Sequence, residues 1–174
     1  MRKALAIICL PLITALSALV VPAALSPASA AAASPTKAEA RIIAEVNRVR
    51  ANRGLAKVRY RSSLITAARA HTRELCDREL LSHTSKCGWS VGQRVRHFGY
   101  TTTDCTYWTV GEDLARAEAG TSAARARAIV RRWMRSPAHR AVLLTARMRD
   151  IGVGVRVGAD GMKYVTVDVG RRVM

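Results

Sequence analysis

The sequence predicts an α+β domain with a small antiparallel sheet, and three observations carry that expectation. Apolar residues recur at helical spacing through most of the first two-thirds of the chain. Near the end, Ile151, Val153, Val155 and Val157 alternate with polar or small residues, as do Val165, Val167 and Val169, around an Asp160-Gly161 turn. No internal repeat or linker divides the chain, so helices and strands are expected to share one core.

The chain opens with Arg2 and Lys3, an apolar run from Ala4 to Leu25, and Ala28-Ser29-Ala30. A basic start, an apolar middle and a small-residue end read as a secretory signal peptide over residues 1–30. A membrane anchor is the alternative, disfavoured by Pro11, Pro22 and Pro27. No later segment approaches the roughly 20 apolar residues of a membrane helix. The expected product is therefore secreted, extracellular and without a stable membrane span. Residues 31–37 form a short lead, and a single domain is expected over 38–172.

Each element has a local cause. Thr36-Lys37-Ala38-Glu39 fits a capping box and starts a helix over 37–52, with Gly54 as a left-handed stop. Ser62 or Ser63 can cap a second helix running to Glu79, with Leu64, Ala67, Ala68, His71 and Leu75 on one face. A loop with His83, Cys87 and Gly88 follows, then a short helix over 91–98 ended by Gly99, then a threonine-rich loop over 100–106. Tyr107-Trp108-Thr109-Val110 reads as a strand that delivers Gly111-Glu112. Thr121 or Ser122 caps a helix reaching Trp133. Ser136 followed by Pro137 then starts a helix carrying His139, Val142 and Leu143, with the Ser136 hydroxyl as its cap.

The chain carries 29 basic and 12 acidic residues, a formal charge of +17. Without Arg2 and Lys3 the balance is +15. The arginines are scattered, which describes a solvated surface first, and an attraction to anionic envelope polymers second. Nucleic acid is not expected, since no aromatic-interleaved basic motif or zinc-finger spacing is present. Cys9 falls in the signal segment, leaving Cys76, Cys87 and Cys105. One disulfide plus one thiol is the simplest arithmetic in an oxidising compartment. Cys87 and Cys105 both fall in loops, which favours that pair, and Cys76–Cys87, a clasp around His83, is the alternative.

His139 lies in the first turn of the helix that Ser136-Pro137 begins, where the helix dipole disfavours imidazolium. His83 sits in a short loop and Glu112 follows an aromatic strand. His71 reads as packing, His97 as surface, and Trp108 and Trp133 as core.

Several ordered motifs resemble the CAP superfamily of cysteine-rich secretory, antigen 5 and pathogenesis-related proteins, in its bacterial secreted branch. They are Asn47-Arg48, Arg53-Gly54-Leu55, Ala68-Arg69-Ala70-His71, Leu81-Ser82-His83-Thr84-Ser85, Gly92-Gln93-Arg94-Val95, Gly99-Tyr100, Trp108-Thr109-Val110-Gly111-Glu112-Asp113, Trp133-Met134-Arg135-Ser136-Pro137-Ala138-His139-Arg140 and Ile151-Gly152-Val153-Gly154-Val155. The resemblance implies a three-layer α-β-α sandwich with a central cleft. Carried over by motif, His83, His139 and Glu112 line that cleft and are candidate ligands for zinc or another divalent cation. Asp113 stands where the family usually has asparagine, and Ser136 where eukaryotic members have a second glutamate. These five residues form the expected cleft.

The leading expectation is a monomeric binding protein whose cleft takes an extracellular lipid or cell-wall ligand, with or without a metal. A metal-dependent extracellular hydrolase is the first alternative, in which His139 or Glu112 activates a bound water, or Ser136, His139 and Glu112 form a nucleophilic set. A non-catalytic cationic wall-binding protein is the second. The resemblance assigns no shared reaction, so binding is favoured over catalysis.

Overall fold

The computed structural model describes residues 33–101, 103–120 and 122–174. The expected signal peptide over 1–30 and the candidate cap Thr121 lie outside the described residues. Five helices and four strands follow in order: α1 (Lys37–Ala51), β1 (Arg59–Tyr60), α2 (Ser62–Asp77), α3 (Val91–His97), β2 (Tyr107–Glu118), α4 (Ala123–Arg135), α5 (Pro137–Leu144), β3 (Asp150–Val157) and β4 (Met162–Val173).

Local chemistry sets most of the boundaries. At α1 the Thr36 hydroxyl accepts from the Glu39 amide at 3.3 Å while Glu39 accepts from the Thr36 amide at 2.7 Å. The same reciprocal box opens α3, where Ser90 and Gln93 exchange bonds. Its signal stands in Ser90-Val91-Gly92-Gln93, although only the helix, and not its cap, was expected there. At α2 the expectation needs correction: Ser62 and Ser63 already lie in the helix, and the cap position is Arg61, which makes no side-chain cap bond. Its extended backbone is held instead by the sheet, through Arg61 N–H to the Ile151 carbonyl at 3.0 Å. Ser136 likewise sits at the α5 cap position without a side-chain cap bond, and Pro137 alone supplies the start signal.

The strand order is β1-β3-β4-β2. The β3–β4 and β4–β2 pairs are antiparallel, as expected of the hairpin, whereas β1 pairs with β3 in parallel. The two-residue β1 was too short to show periodicity. The larger difference is β2, which continues to Glu118 and so carries Gly111, Glu112 and Asp113 inside the strand. Glycine and acids are poor strand formers, and here the long register with β4 overrides them.

Side chains alternate across the sheet. Ile151, Val153, Val165, Val167, Val169 and Ala115 face α1, α4 and α5, and close the main core around Trp133. The other face meets α2 and α3 through Leu64, Ala67, Val95 and Tyr100, and through Leu75, Leu114 and Tyr164. The result is the expected α-β-α sandwich, with β3 and β4 buried on both sides.

The approach of α2 to the sheet depends on two glycines. A Cβ at Gly152 would stand 2.2 Å from the Leu64 carbonyl carbon, and one at Gly154 would stand 2.5 Å from the Ala68 carbonyl oxygen. Helix backbone lies directly on strand backbone, so neither neighbour can turn aside. Gly154→Ala is expected to destabilise the domain by about 3 kcal/mol, the upper end of ordinary overpacking costs. A chemical denaturation midpoint for Gly154→Ala equal to that of the parent would contradict this packing.

Candidate functional site at the open edge of β2

Because β2 pairs only with β4, its other edge is uncovered by any strand among the described residues. Consecutive residues of β2 point to opposite layers. Glu112 points toward α2 and α3, and Asp113 points with Gly111 toward α5, where a Cβ at Gly111 would meet Val142 at 3.0 Å.

Glu112 is the centre. Its side chain is 1% exposed, and it forms an ion pair with Arg94 of α3, itself 2% exposed. The other Glu112 oxygen lies 2.7 Å from His83 Nδ1. A carboxylate only accepts, so Nδ1 carries the proton and Nε2 is the outer nitrogen of a ring whose side chain is 61% exposed. The Glu112 bond, with the charge of Glu112 behind it, holds the His83 pKa above its ordinary value against a smaller desolvation penalty.

The loop carrying His83 is anchored from three sides. His71, fully buried on α2, has Nε2 2.8 Å from the Ser82 carbonyl, an acceptor, so Nε2 donates. Burial holds the His71 pKa below its usual value, which matches a neutral ring with one proton on Nε2. Glu74 accepts from the Lys86 amide at 3.1 Å, and Arg94 donates to the Ser85 hydroxyl at 3.0 Å. His71 is thus more than packing: it ties α2 to the residue before His83 and stands 3.8 Å from the same Glu112 oxygen that Arg94 holds.

Two further carboxyls complete the interior. Asp168 lies opposite Glu112 in the β2–β4 register and is fully buried. Burial, then the charge of Glu112, pushes its pKa well above the ordinary carboxylate range. Asp113 is 1% exposed and one of its oxygens has no hydrogen-bond partner among the described residues. Burial pushes its pKa up to about 8, with Glu112 adding to the rise and His83 opposing it.

The five expected cleft residues are distributed unevenly. His83 and Glu112 are in direct contact, with Asp113 close enough to feel both charges. His139, half-buried in the first turn of α5, has a pKa lowered by burial first, then by the charges of His83 and Arg132. No hydrogen bond among the described residues links Ser136 to His139 or Glu112, so the nucleophilic set is not assembled. The three-ligand metal set does not fit this arrangement either. Both Glu112 oxygens are engaged, and among the described residues no group of three or more His, Cys, Asp or Glu side chains is placed to hold an ion. Glu112 stands behind a histidine as an orienting carboxylate.

His97 is exposed and stacks on Trp89 at 4.5 Å between ring centroids, Trp108 is half-buried, and Trp133 is in the core with Nε1 donating to the Leu114 carbonyl at 2.8 Å. Neither expected disulfide is present: Cys76, Cys87 and Cys105 are all free thiols. Cys76 is buried against Leu75, Leu114 and Tyr164, while Cys87 is exposed in its turn and Cys105 donates to the Tyr107 carbonyl at 3.1 Å. Arg94, His71 and Asp168 were missed as site residues. The readable signal was Arg94, an arginine directly behind the Ser90/Gln93 box, whose position in the first turn turns it inward.

Two outcomes follow from this geometry. Arg94→Met leaves a buried carboxylate facing His83 alone and is expected to cost about 3–5 kcal/mol of stability, whereas the double variant with Glu112→Gln recovers a large part of it. Equal losses in urea denaturation would refute the pair. For Asp113, the folded state keeps a proton that the unfolded chain releases above about pH 4. Stability is therefore lost as pH rises from that value through about 8. Asp113→Asn is expected to match the parent near pH 3.5 and to exceed it in melting temperature by a margin that grows up to pH 8 or above. A margin independent of pH would count against a protonated Asp113.

The family profile for the cysteine-rich secretory protein (CAP) family matches residues 43–169. The chain is 27% identical over 116 residues to YkwD of Bacillus subtilis, covering 67% of this chain and 41% of YkwD, so it spans about two-fifths of that relative. Among solved structures it resembles an outer surface protein of Borrelia burgdorferi, with a TM-score of 0.66 at 20% identity, covering 81% of this chain and 97% of that one. It also resembles an extracellular SCP-domain protein of Bacillus anthracis, with a TM-score of 0.61 at 22% identity, covering 76% and 39% of the two chains. A cysteine-rich secretory protein of Staphylococcus aureus aligns with a TM-score of 0.55 at 16% identity, covering 74% and 36%. Such identities speak for the fold, and the profile match over most of the chain speaks for more: this chain belongs to the CAP family.

Proposed function

We propose that the protein is exported and acts as an extracellular binding module, with His83 as the polar contact for an amphiphilic lipid or envelope ligand. The observation that carries this reading is the His83–Glu112 bond. It fixes an exposed ring by its inner nitrogen and leaves the outer one for a ligand. A raised pKa keeps that ring cationic to higher pH than an ordinary histidine, which suits an anionic or hydroxyl-bearing headgroup. Leu80 and Leu81 precede His83 and are 46% and 37% exposed, an apolar neighbour for a chain or sterol body. His139, kept neutral by burial, offers a second nitrogen from the α5 side.

Catalysis is not required by this arrangement. Glu112 is withdrawn from solvent, and Ser136 has no base bonded to it among the described residues. Described helices include none long and apolar enough to cross a membrane, and the neighbours named above include extracellular and outer-surface proteins.

The test is binding of a saturated long-chain fatty acid, and of vesicles of phosphatidylglycerol in phosphatidylcholine, by calorimetry and sedimentation. His83→Ala is expected to weaken binding by roughly tenfold or more at a temperature where the variant is still folded, as loss of one charge-assisted contact implies, with a lowered melting temperature because Glu112 loses its second hydrogen bond, and His139→Ala to weaken binding less. Parent binding should persist through the ordinary histidine range of about 6.5 and fall only at higher pH, because the raised His83 pKa delays loss of the imidazolium. Identical isotherms for parent and His83→Ala would overturn the reading.

A further inference from the structure

A second surface lies away from His83. An open groove of about 760 Å³ runs beside β1, lined by Lys57, Arg59, Arg61 and Arg149, with Asn47 and Asp150. The single carboxylate is already engaged twice, accepting from Arg61 Nε and from the Tyr100 hydroxyl, each at 2.9 Å. Lys57 and Arg59 are exposed and make no ion pair among the described residues. Arg59 and Arg61, two apart on an extended segment, point to the same side.

The groove rests on a buried cation. Arg50 is 0% exposed, and its guanidinium donates to the carbonyls of Ala56, Leu143, Thr145 and Met148, with no carboxylate partner among the described residues. Carbonyl dipoles satisfy its hydrogen bonds but leave its charge uncancelled. Its pKa is lowered by burial and then by the charge of Arg149, one of the groove-lining cations. Those four bonds also fix both rims, the loop before β1 and the loop before β3. Asn47 adds a two-way clamp on Val58, donating to its carbonyl at 3.0 Å and accepting from its amide at 2.8 Å. The cations are therefore displayed on a rigid frame, which lowers the entropy lost on binding.

We infer that this groove binds an extended polyanion bearing phosphodiester groups, of the kind carried by cell-envelope polymers. Arg59 offers its whole planar fork to paired phosphate oxygens, while Arg61 is bonded through Nε to Asp150 and Arg149 through Nη1 to the Ala146 and Met148 carbonyls, and each keeps further N–H groups for the same use. β1 is an edge strand, so the groove beside it is open along that edge, which suits a chain over a compact anion. The lining residues include no aromatic ring on which bases could stack, which sets nucleic acid behind an envelope polymer. Only the choice of an extracellular source rests on the proposed export; the site is independent of His83.

The test uses the full chain and poly(glycerol phosphate) as probe, with poly-glutamate of equal charge and duplex DNA of equal phosphate number as comparators. The double variant Lys57→Gln/Arg59→Gln is expected to bind the probe roughly tenfold more weakly than the parent, or worse, through two lost charge-assisted contacts. Arg127→Gln/Arg131→Gln on α4, which loses the same net charge, should differ from the parent by less than about twofold, as a diffuse screened contribution. His83→Ala should bind this probe as the parent does, whatever its effect on fatty acid. Parent binding should fall steeply with added salt. Equal weakening by both double variants would reduce the groove to diffuse charge and overturn the inference, as would no weakening by the first. Poly-glutamate bound as tightly as the probe would overturn the phosphodiester assignment, and DNA bound more tightly would replace it with a nucleic acid.

Discussion

The pair of Arg94 and Glu112 is the constraint on which the site depends. Two charges removed from water are tolerated only when they meet each other and when their remaining hydrogen-bonding capacity is used. Here the second Glu112 oxygen accepts the proton of His83 and a further Arg94 nitrogen donates to Ser85, which leaves Arg94 Nε as the one nitrogen of that guanidinium without a partner among the described residues. A requirement for charge satisfaction inside the protein thus fixes a ring outside it. Asp168 fits the same logic: a second buried carboxylate beside Glu112 would be unbalanced by one guanidinium, and a retained proton removes the conflict.

The layered architecture decides who can take part. Glu112 and Asp113 are adjacent in sequence yet serve opposite layers, one meeting α2 and α3 and the other α5. His83 reaches over the uncovered edge of β2, and His139 approaches from the far layer. A histidine pair of this kind needs an edge strand, because a strand paired on both sides would block the approach. The groove at β1 uses the opposite edge of the same sheet. Both surfaces considered for binding therefore lie where the sheet ends, and each is steadied by a buried arginine: Arg94 for one, Arg50 for the other.

Most of the helical frame was legible because its signals are local. The Thr36/Glu39 box, the apolar spacing of α2 and the proline opening α5 each act within a turn or two. The hairpin was legible from alternation around Asp160-Gly161. What was not legible depends on distant partners. β2 extends past Val110 because the whole length of β4 pairs with it, and nothing local to Gly111-Glu112-Asp113 announces that. β1 exists because the backbone around Arg149 and Ile151 accepts from it. Resemblance indicated His83, Glu112 and His139 as a common site, but not that Glu112 would be drawn inward by Arg94 and bonded to the His83 ring. Ser136 looked like a cap from its type and position, and its hydroxyl makes no such bond. Of the three thiols only Cys76 is a core residue, as its place late in a helical pattern allows.

The separation of the two imidazoles is set by how thick the sandwich is at that point. His83 hangs from the α2 layer and His139 from the α5 layer, and no hydrogen bond among the described residues spans them directly. Their gap is governed by side-chain volume in two different cores, one around Trp133 and one around Leu64 and Val95. A methyl group gained or lost deep inside either core would shift one layer against the sheet and change that gap, so the spacing of the two rings can drift through interior substitutions while the histidines themselves stay the same.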